Sequence, residues 1–345
     1  MPKTTTTKKQ EAPAAVIEAP DASVEAPVVP EAPASVSFLG DIISTQESTK
    51  QAFAQNKKAE REALYQMADT MIERIIGDGK EYTGFLNMQA QLAMGVNNTA
   101  LLLAQRPSAT LLHTYGEWKD KGVMVTDYDN PVRLLISETY SGTRTIETPN
   151  AYGEVEIQQV KYDGRGTNVA EYYDVMQTNQ PFLPERPQLD SQEKVQVAIK
   201  AMLQVSRVSV GIDNSLTQPE YVAANRQIRL SESLTPSETF RQLAVGCAHA
   251  HIAGGAHAYQ SGNYTLEAYS VAHILCKRYG AAHNEMDFSG APNWFASLAS
   301  HNPGLPKESL NLVNRIAKTL GKAIQRDLSP PTQQRDGQRR NQPTR

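Results

Sequence analysis

Cysteine is nearly absent from the chain: Cys247 and Cys276 are two residues in 345. Both fall in stretches with helical periodicity and apolar neighbours. They read as buried thiols of a reducing cytoplasm, with a disulfide as the alternative. No apolar run approaches the roughly 18 residues that a membrane span needs, so no membrane association is expected. The opening Met1-Pro-Lys-Thr-Thr-Thr-Thr-Lys-Lys9 has no apolar stretch behind it and does not read as a signal peptide. A strong charge of either sign is missing too, the net charge being −3. Residues 38–190 hold 14 basic against 21 acidic residues, and residues 191–328 hold 13 against 10. Neither balance is that of a protein held to nucleic acid mainly through phosphates. No Gly-x-Ser-x-Gly elbow occurs. Gly164-Arg-Gly166 and Gly254-Gly-Ala256 precede no Lys-Ser/Thr pair, so they read as turns rather than phosphate loops.

What is present divides into five segments. Residues 1–44 are an Ala/Pro/Glu-rich tether in which Glu-Ala-Pro recurs at 11–13, 18–20, 25–27 and 31–33. Proline at that density excludes helix and central strand, and the segment is expected to be disordered. Residues 45–178 read as helices at about 45–76, 84–94, 98–105 and 111–121. Strands follow at 122–127, 131–138, 153–162 and 170–176. The three prolines of 179–190 mark a linker. Residues 191–328 read as a helix at 192–205, strands at 208–212 and 223–230, and helices at 235–255, 265–278 and 307–327. The polar tail 329–345 is expected to be disordered, and its Arg335, Arg339, Arg340 and Arg345 to be solvated. The fold class is α+β.

The helix at Thr235–Gly255 carries the sharpest motif. Thr235 suits the N-cap, Pro236 the first helical position and Glu238 the capping box, while Gly254-Gly255 is a stop. In a zincin metalloprotease such a helix carries His-Glu-x-x-His, two zinc ligands and a general base. The frame that ends on His249 reads Val245-Gly246-Cys247-Ala248-His249. Val245 cannot ligate a metal, and Gly246 cannot deprotonate water. A replacement set built from Cys247 and His251, four apart on one helical face, with His257 beyond the glycine pair, is geometrically open. The simpler role for His249 is a buried, hydrogen-bonded histidine. For Glu267 it is a first-turn acid that favours the helix dipole.

Four blocks in order resemble the ArdC/LtrC-like antirestriction proteins of conjugative elements and phages. They are Asn97-Asn-Thr-Ala-Leu-Leu-Leu-Ala-Gln-Arg-Pro-Ser-Ala-Thr110 followed by Trp118-Lys119, then Tyr173-Asp-Val-Met-Gln-Thr-Asn179. Next come Thr239-Phe-Arg-Gln-Leu-Ala244 and Glu267-Ala-Tyr-Ser-Val-Ala-His-Ile-Leu-Cys-Lys-Arg-Tyr-Gly280. Together they cover about residues 80–328. The resemblance implies an ArdC-like N-terminal domain that binds single-stranded DNA, followed by a zincin-like domain. It implies an accessory, cytoplasmic, antirestriction role for the whole. The chain departs from the family at Val245 and Gly246, at Tyr269 in place of a second Glu, and at Asp127 and Asp129 where the family is basic. The departures imply a pseudo-metallopeptidase with no catalytic residue and no cofactor, whose remnant positions are His249 and Glu267.

The candidate nucleic-acid residues are Asn98, Gln105, Arg106, Tyr115, Trp118, Lys119 and Lys121. Single-strand binders place aromatic platforms beside basic groups, and here a base could stack on Trp118 while Arg106 meets a phosphate. The alternative is that Trp118 packs its helix on the sheet and Arg106 braces the loop at Pro107. The expected partner is single-stranded DNA. A structural or protein-interaction module with a protein partner and no nucleic acid is the reading of a different class, and an active zinc metallopeptidase is a third.

Overall fold

The computed structural model describes residues 38–149, 155–182, 185–255, 259–281 and 286–329. The Glu-Ala-Pro repeats, His257 and the tail arginines lie outside the described residues. The chain divides into two compact units, residues 1–53 and 54–345. Of the first, residues 38–53 are described, and they are helical. That helix, α1 (Phe38–Gly77), begins inside the stretch expected to be disordered to residue 44. No described helix is long and apolar enough to cross a membrane.

The second unit is α+β. It opens with residues 54–77 of α1, followed by α2 (Gly79–Leu92) and α3 (Val96–Gln105). Helix α2 starts a turn and a half earlier than its apolar pattern indicates because Asp78 caps it, its carboxylate accepting from the N–H groups of Lys80 and Glu81. The short β1 (Leu112–His113) and α4 (Tyr115–Asp120) follow, the latter with a full capping box of Thr114 and Glu117. Residues 122–127 do not form the expected strand; a single bridge pairs Val125 with Thr178.

Two long strands, β2 (Val132–Pro149) and β3 (Val155–Asp174), pair antiparallel along 18 residue pairs, and β1 adds to β3 in the order β1-β3-β2. The two separate strands expected at 153–162 and 170–176 are therefore one, and Gly164-Arg-Gly166 is strand rather than turn. The reason lies across the ribbon. A Cβ at Gly164 would stand 2.5 Å from the Tyr140 ring, and one at Gly142 would stand 2.9 Å from the Tyr162 ring. These glycines lie under tyrosines of the neighbouring strand, a use of glycine that local sequence does not distinguish from a turn.

The remainder comprises α5 (Gln192–Ser206), β4 (Ser209–Ile212), β5 (Glu220–Val222), β6 (Gln227–Leu230), α6 (Pro236–Ala253), α7 (Thr265–Tyr279), α8 (Ala291–His301) and α9 (Leu305–Leu328). Strand β6 is central, parallel to β4 and antiparallel to β5. Helix α8 is absent from the sequence expectations, since Ala291 and Phe295 are its only buried residues.

Helices α2 and α3 share one core with α5, α6, α7 and α9. Polar bonds cross residues 179–190 in the same place. The Tyr82 hydroxyl meets that of Ser270 at 2.6 Å, and Asn314 donates to the Gln89 side chain and to Met94 O. Arg278 donates to the carbonyls of Gln89 and Ala90, and Arg186, within the proline-rich stretch, to those of Ala90 and Gln91. The apolar face of α2 is covered by α7 and α8. Its Tyr82 ring meets Phe288 and Phe295 edge-on at 5.5 and 5.2 Å.

Candidate functional site

The sequence-predicted nucleic-acid residues separate into two groups. Three are consumed inside the fold. Asn98 and Gln105, one face of α3 at i and i+7, each clasp a β2 backbone residue from both sides. The Asn98 amide accepts from Leu135 N–H at 3.0 Å and donates to Leu135 O at 2.8 Å. Gln105 does the same to Arg133 at 2.9 and 3.0 Å. Trp118 is 1% exposed, in a small cluster with Val125, Tyr173 and Val175, and its indole N–H donates to Tyr173 O at 2.9 Å. It presents no face on which a base could stack. Of its two sequence roles, packing α4 on the sheet is the one the geometry realises.

The others lie at the surface. Tyr115 and Tyr128 are about half exposed, at 48% and 47%, and their rings meet at 5.8 Å, tilted by 53°. Tyr128 in turn meets the buried Tyr173 edge-on at 6.4 Å. A row of rings thus runs from solvent to the residue whose carbonyl Trp118 holds. Lys119 follows Tyr115 by one helical turn, and both Lys119 and Lys121 are exposed. Arg106 is half-buried and stands 3.7 Å from Asp127. Tyr128 has no local sequence signal as a partner of Tyr115, being 13 residues away. The Asp174 carboxylate is engaged locally: it accepts from the N–H groups of Thr110, Leu111 and Met176.

The second candidate region is α6. Val245 is 1% exposed within the core. A Cβ at Gly246 would lie 2.6 Å from Cγ2 of Ile228 on the central strand β6, so bare backbone is what lets helix and sheet approach. Cys247 is fully buried, and burial pushes its thiol up to about 12. His249 is 7% exposed and faces Tyr259 at 6.0 Å, with Tyr221 and Tyr264 packed around that ring. Its Nδ1 meets no hydrogen-bond partner among the described residues. Glu267 turns to other helices: its Oε1 accepts from Ser309 at 2.6 Å and from the Trp294 indole at 3.3 Å. Among the described residues no three His, Cys, Asp or Glu side chains stand together as a metal set. Val245 and Gly246 offer no donor at the first two positions of that frame. An open pocket of about 570 Å³ beside α7, lined by Glu238, Arg241, Tyr269 and Trp294 among others, includes neither His249 nor Glu267.

Burial holds His249 down to about 4, so it is neutral in the fold. The unfolded chain, with an ordinary value near 6.5, takes up a proton first as pH falls. The stability that His249 contributes is therefore complete above about pH 6.5 and is lost between 6.5 and 4, amounting to roughly 2 to 3 kcal/mol. Urea unfolding at pH 7 and pH 4.5 should show that loss in the parent chain and a smaller one in His249→Phe. An equal acid slope in both would remove His249 as its source. Glu267 acts with the opposite sign. Burial raises its carboxyl, so its contribution weakens as pH rises from about 4.5 upward.

No family model matches the chain, and no curated protein matches it. Two crystal structures of the antirestriction protein ArdC from plasmid R388 are similar to it. The metal-free form aligns with a TM-score of 0.46 and the Mn(II)-bound form with 0.45. Each is 14% identical, and each alignment covers 75% of this chain and 98% of the other.

Proposed function

We propose that the chain is an ArdC-like accessory protein that binds single-stranded DNA, with a zincin-like half that performs no hydrolysis. The four ordered blocks around Asn97–Thr110, Tyr173–Asn179, Thr239–Ala244 and Glu267–Gly280 support the family reading. The single observation that carries DNA binding is the exposed ring pair Tyr115–Tyr128 with Lys119 one turn along. Bases of any identity offer a face to such rings, while Lys119 and Lys121 meet the backbone. The missing ligand and base at Val245 and Gly246 support the non-catalytic half. Antirestriction is the biological role that the resemblance suggests.

Polarisation of a labelled oligo-dT titrated with the full chain tests this. Binding is expected to weaken with salt, and Tyr115→Ala/Tyr128→Ala to weaken it by about tenfold or more, since each stacked base contributes about 1–3 kcal/mol. Removing both Lys119 and Lys121 should flatten the salt slope by about 1.4. No binding at low salt would end the reading. That outcome would leave the alternative of an interaction module without nucleic acid, which the acids Asp120, Asp127 and Asp129 beside the ring pair favour.

A further inference from the structure

The ribbon of β2 and β3 is secured within the chain at its base. There the outer edge of β2 is satisfied by the Asn98 and Gln105 side chains, which clasp the backbones of Leu135 and Arg133 as a neighbouring strand would. This pattern identifies the odd-numbered residues of β2 as those whose N–H and C=O point away from β3. The next odd positions are Ser137, Thr139, Ser141, Thr143 and Thr145. All five are exposed, and among the described residues nothing pairs with their outward backbone groups. Edges of this kind are ordinarily blunted by proline, lysine or a bulge. From Ile136 to Glu147 there is no proline and no lysine, and the pairing with β3 is regular throughout.

The same stretch is complementary to itself. Lay two copies of β2 antiparallel about a two-fold axis through Ser141. Outward backbone groups then face outward backbone groups, as a ladder requires. On one face Thr139 lies opposite Thr143, and Ser137 opposite Thr145. On the other, Glu138 lies opposite Arg144, Ile136 opposite Ile146, and Tyr140 opposite Gly142. Hydroxyl pairs, opposite charges and β-branched apolar pairs are the cross-strand partners that stabilise sheets. Moving the axis by one residue preserves the hydrogen-bond phase but breaks the charge match. Arg144 would then face Ile136 or Tyr140, and Glu138 would face Gly142 or Ile146.

We propose that two copies of this chain associate through the β2 edge in the Ser141-centred register, giving a continuous six-stranded sheet in the order β1-β3-β2-β2-β3-β1. Glu138 of one copy meets Arg144 of the other, twice per dimer.

Sedimentation equilibrium of the full chain over a concentration series tests it. The parent chain is expected to show a reversible monomer–dimer equilibrium. Glu138→Arg alone and Arg144→Glu alone each set two like-charge pairs across the axis. Each should dimerise about tenfold more weakly or worse. An equimolar mixture of the two variants restores both opposite-charge pairs and should recover the dimer, as should the double variant. That recovery separates the proposal from simple misfolding of either variant. A parent chain that stays monomeric throughout the series overturns the proposal, even if the chain binds DNA. So do single variants that dimerise like the parent, or a mixture that remains monomeric.

Discussion

Building a His-Glu-x-x-His frame with Val245→His and Gly246→Glu should unfold part of the protein and yield no zinc site. The reason is geometric before it is chemical. At position 246 the first side-chain atom already lies 2.6, 2.8 and 2.9 Å from three carbons of Ile228. Ile228 is fully buried on β6, which is held between β4 and β5, so it has little room to yield. Gly246→Ala alone should cost about 1 to 3 kcal/mol through overpacking. Glutamate adds a carboxylate with no partner in that wall, and histidine at 245 adds a polar ring at a position 1% exposed. Together they should cost about 4 kcal/mol or more, a fall in Tm of about 10 °C for a unit of this size. Thermal melts with and without added zinc, and metal analysis of the purified variant, check this. A double variant with the parent Tm and one zinc per chain would show that sheet and helix can part, and the packing argument would fail.

That His-Glu is missing from the Val245–His249 frame was legible in the sequence, but the packing at Gly246 was not. Thr235, Pro236 and the glycine pair mark α6 because caps are local. The N-cap bond, which the Glu238 N–H donates to the Thr235 hydroxyl, is in place. The contact between Gly246 and Ile228 joins residues far apart in sequence, and only the closed fold reveals it. The long ribbon was hidden for a related reason. Gly142, Gly164 and Gly166 carry turn signals, and the tyrosines that make them strand residues lie on the opposite strand. Helix α8 was hidden by an exposed surface, since it buries little beyond Ala291 and Phe295. At the candidate nucleic-acid face, composition placed aromatic and basic residues together without ranking them. Trp118 and Tyr115 are three apart on a six-residue helix, yet one is sealed in and the other half exposed. Tyr128, the ring that completes the surface pair, arrives from the loop beyond α4.

That sorting leads to the other large effect, at Trp118. Its indole fills a satellite cluster of four buried residues, separate from the main core, and donates the hydrogen bond that Tyr173 O accepts. Trp118→Ala removes the ring and the donor together and should cost about 3 to 5 kcal/mol locally. Because this cluster is not continuous with the main core, the damage should concentrate where α4, β1 and the end of β3 meet. Hydrogen exchange should rise at residues 110–128 and 172–179, while the amides of α6, α7 and α9 stay protected. Trp118→Phe retains much of the packing but leaves Tyr173 O without its donor, so an intermediate loss of about 1 to 3 kcal/mol is expected. DNA binding should fall in Trp118→Ala because Tyr173 no longer backs Tyr128, not because a platform is gone. One measurement separates these causes. Trp118 and Trp294 are the two tryptophans of the chain, so Trp294→Phe leaves Trp118 as the sole emitter. Its fluorescence should be blue-shifted, resistant to iodide and unquenched by oligo-dT at saturation. Strong quenching by the oligonucleotide would place a base on the indole and return Trp118 to the binding surface.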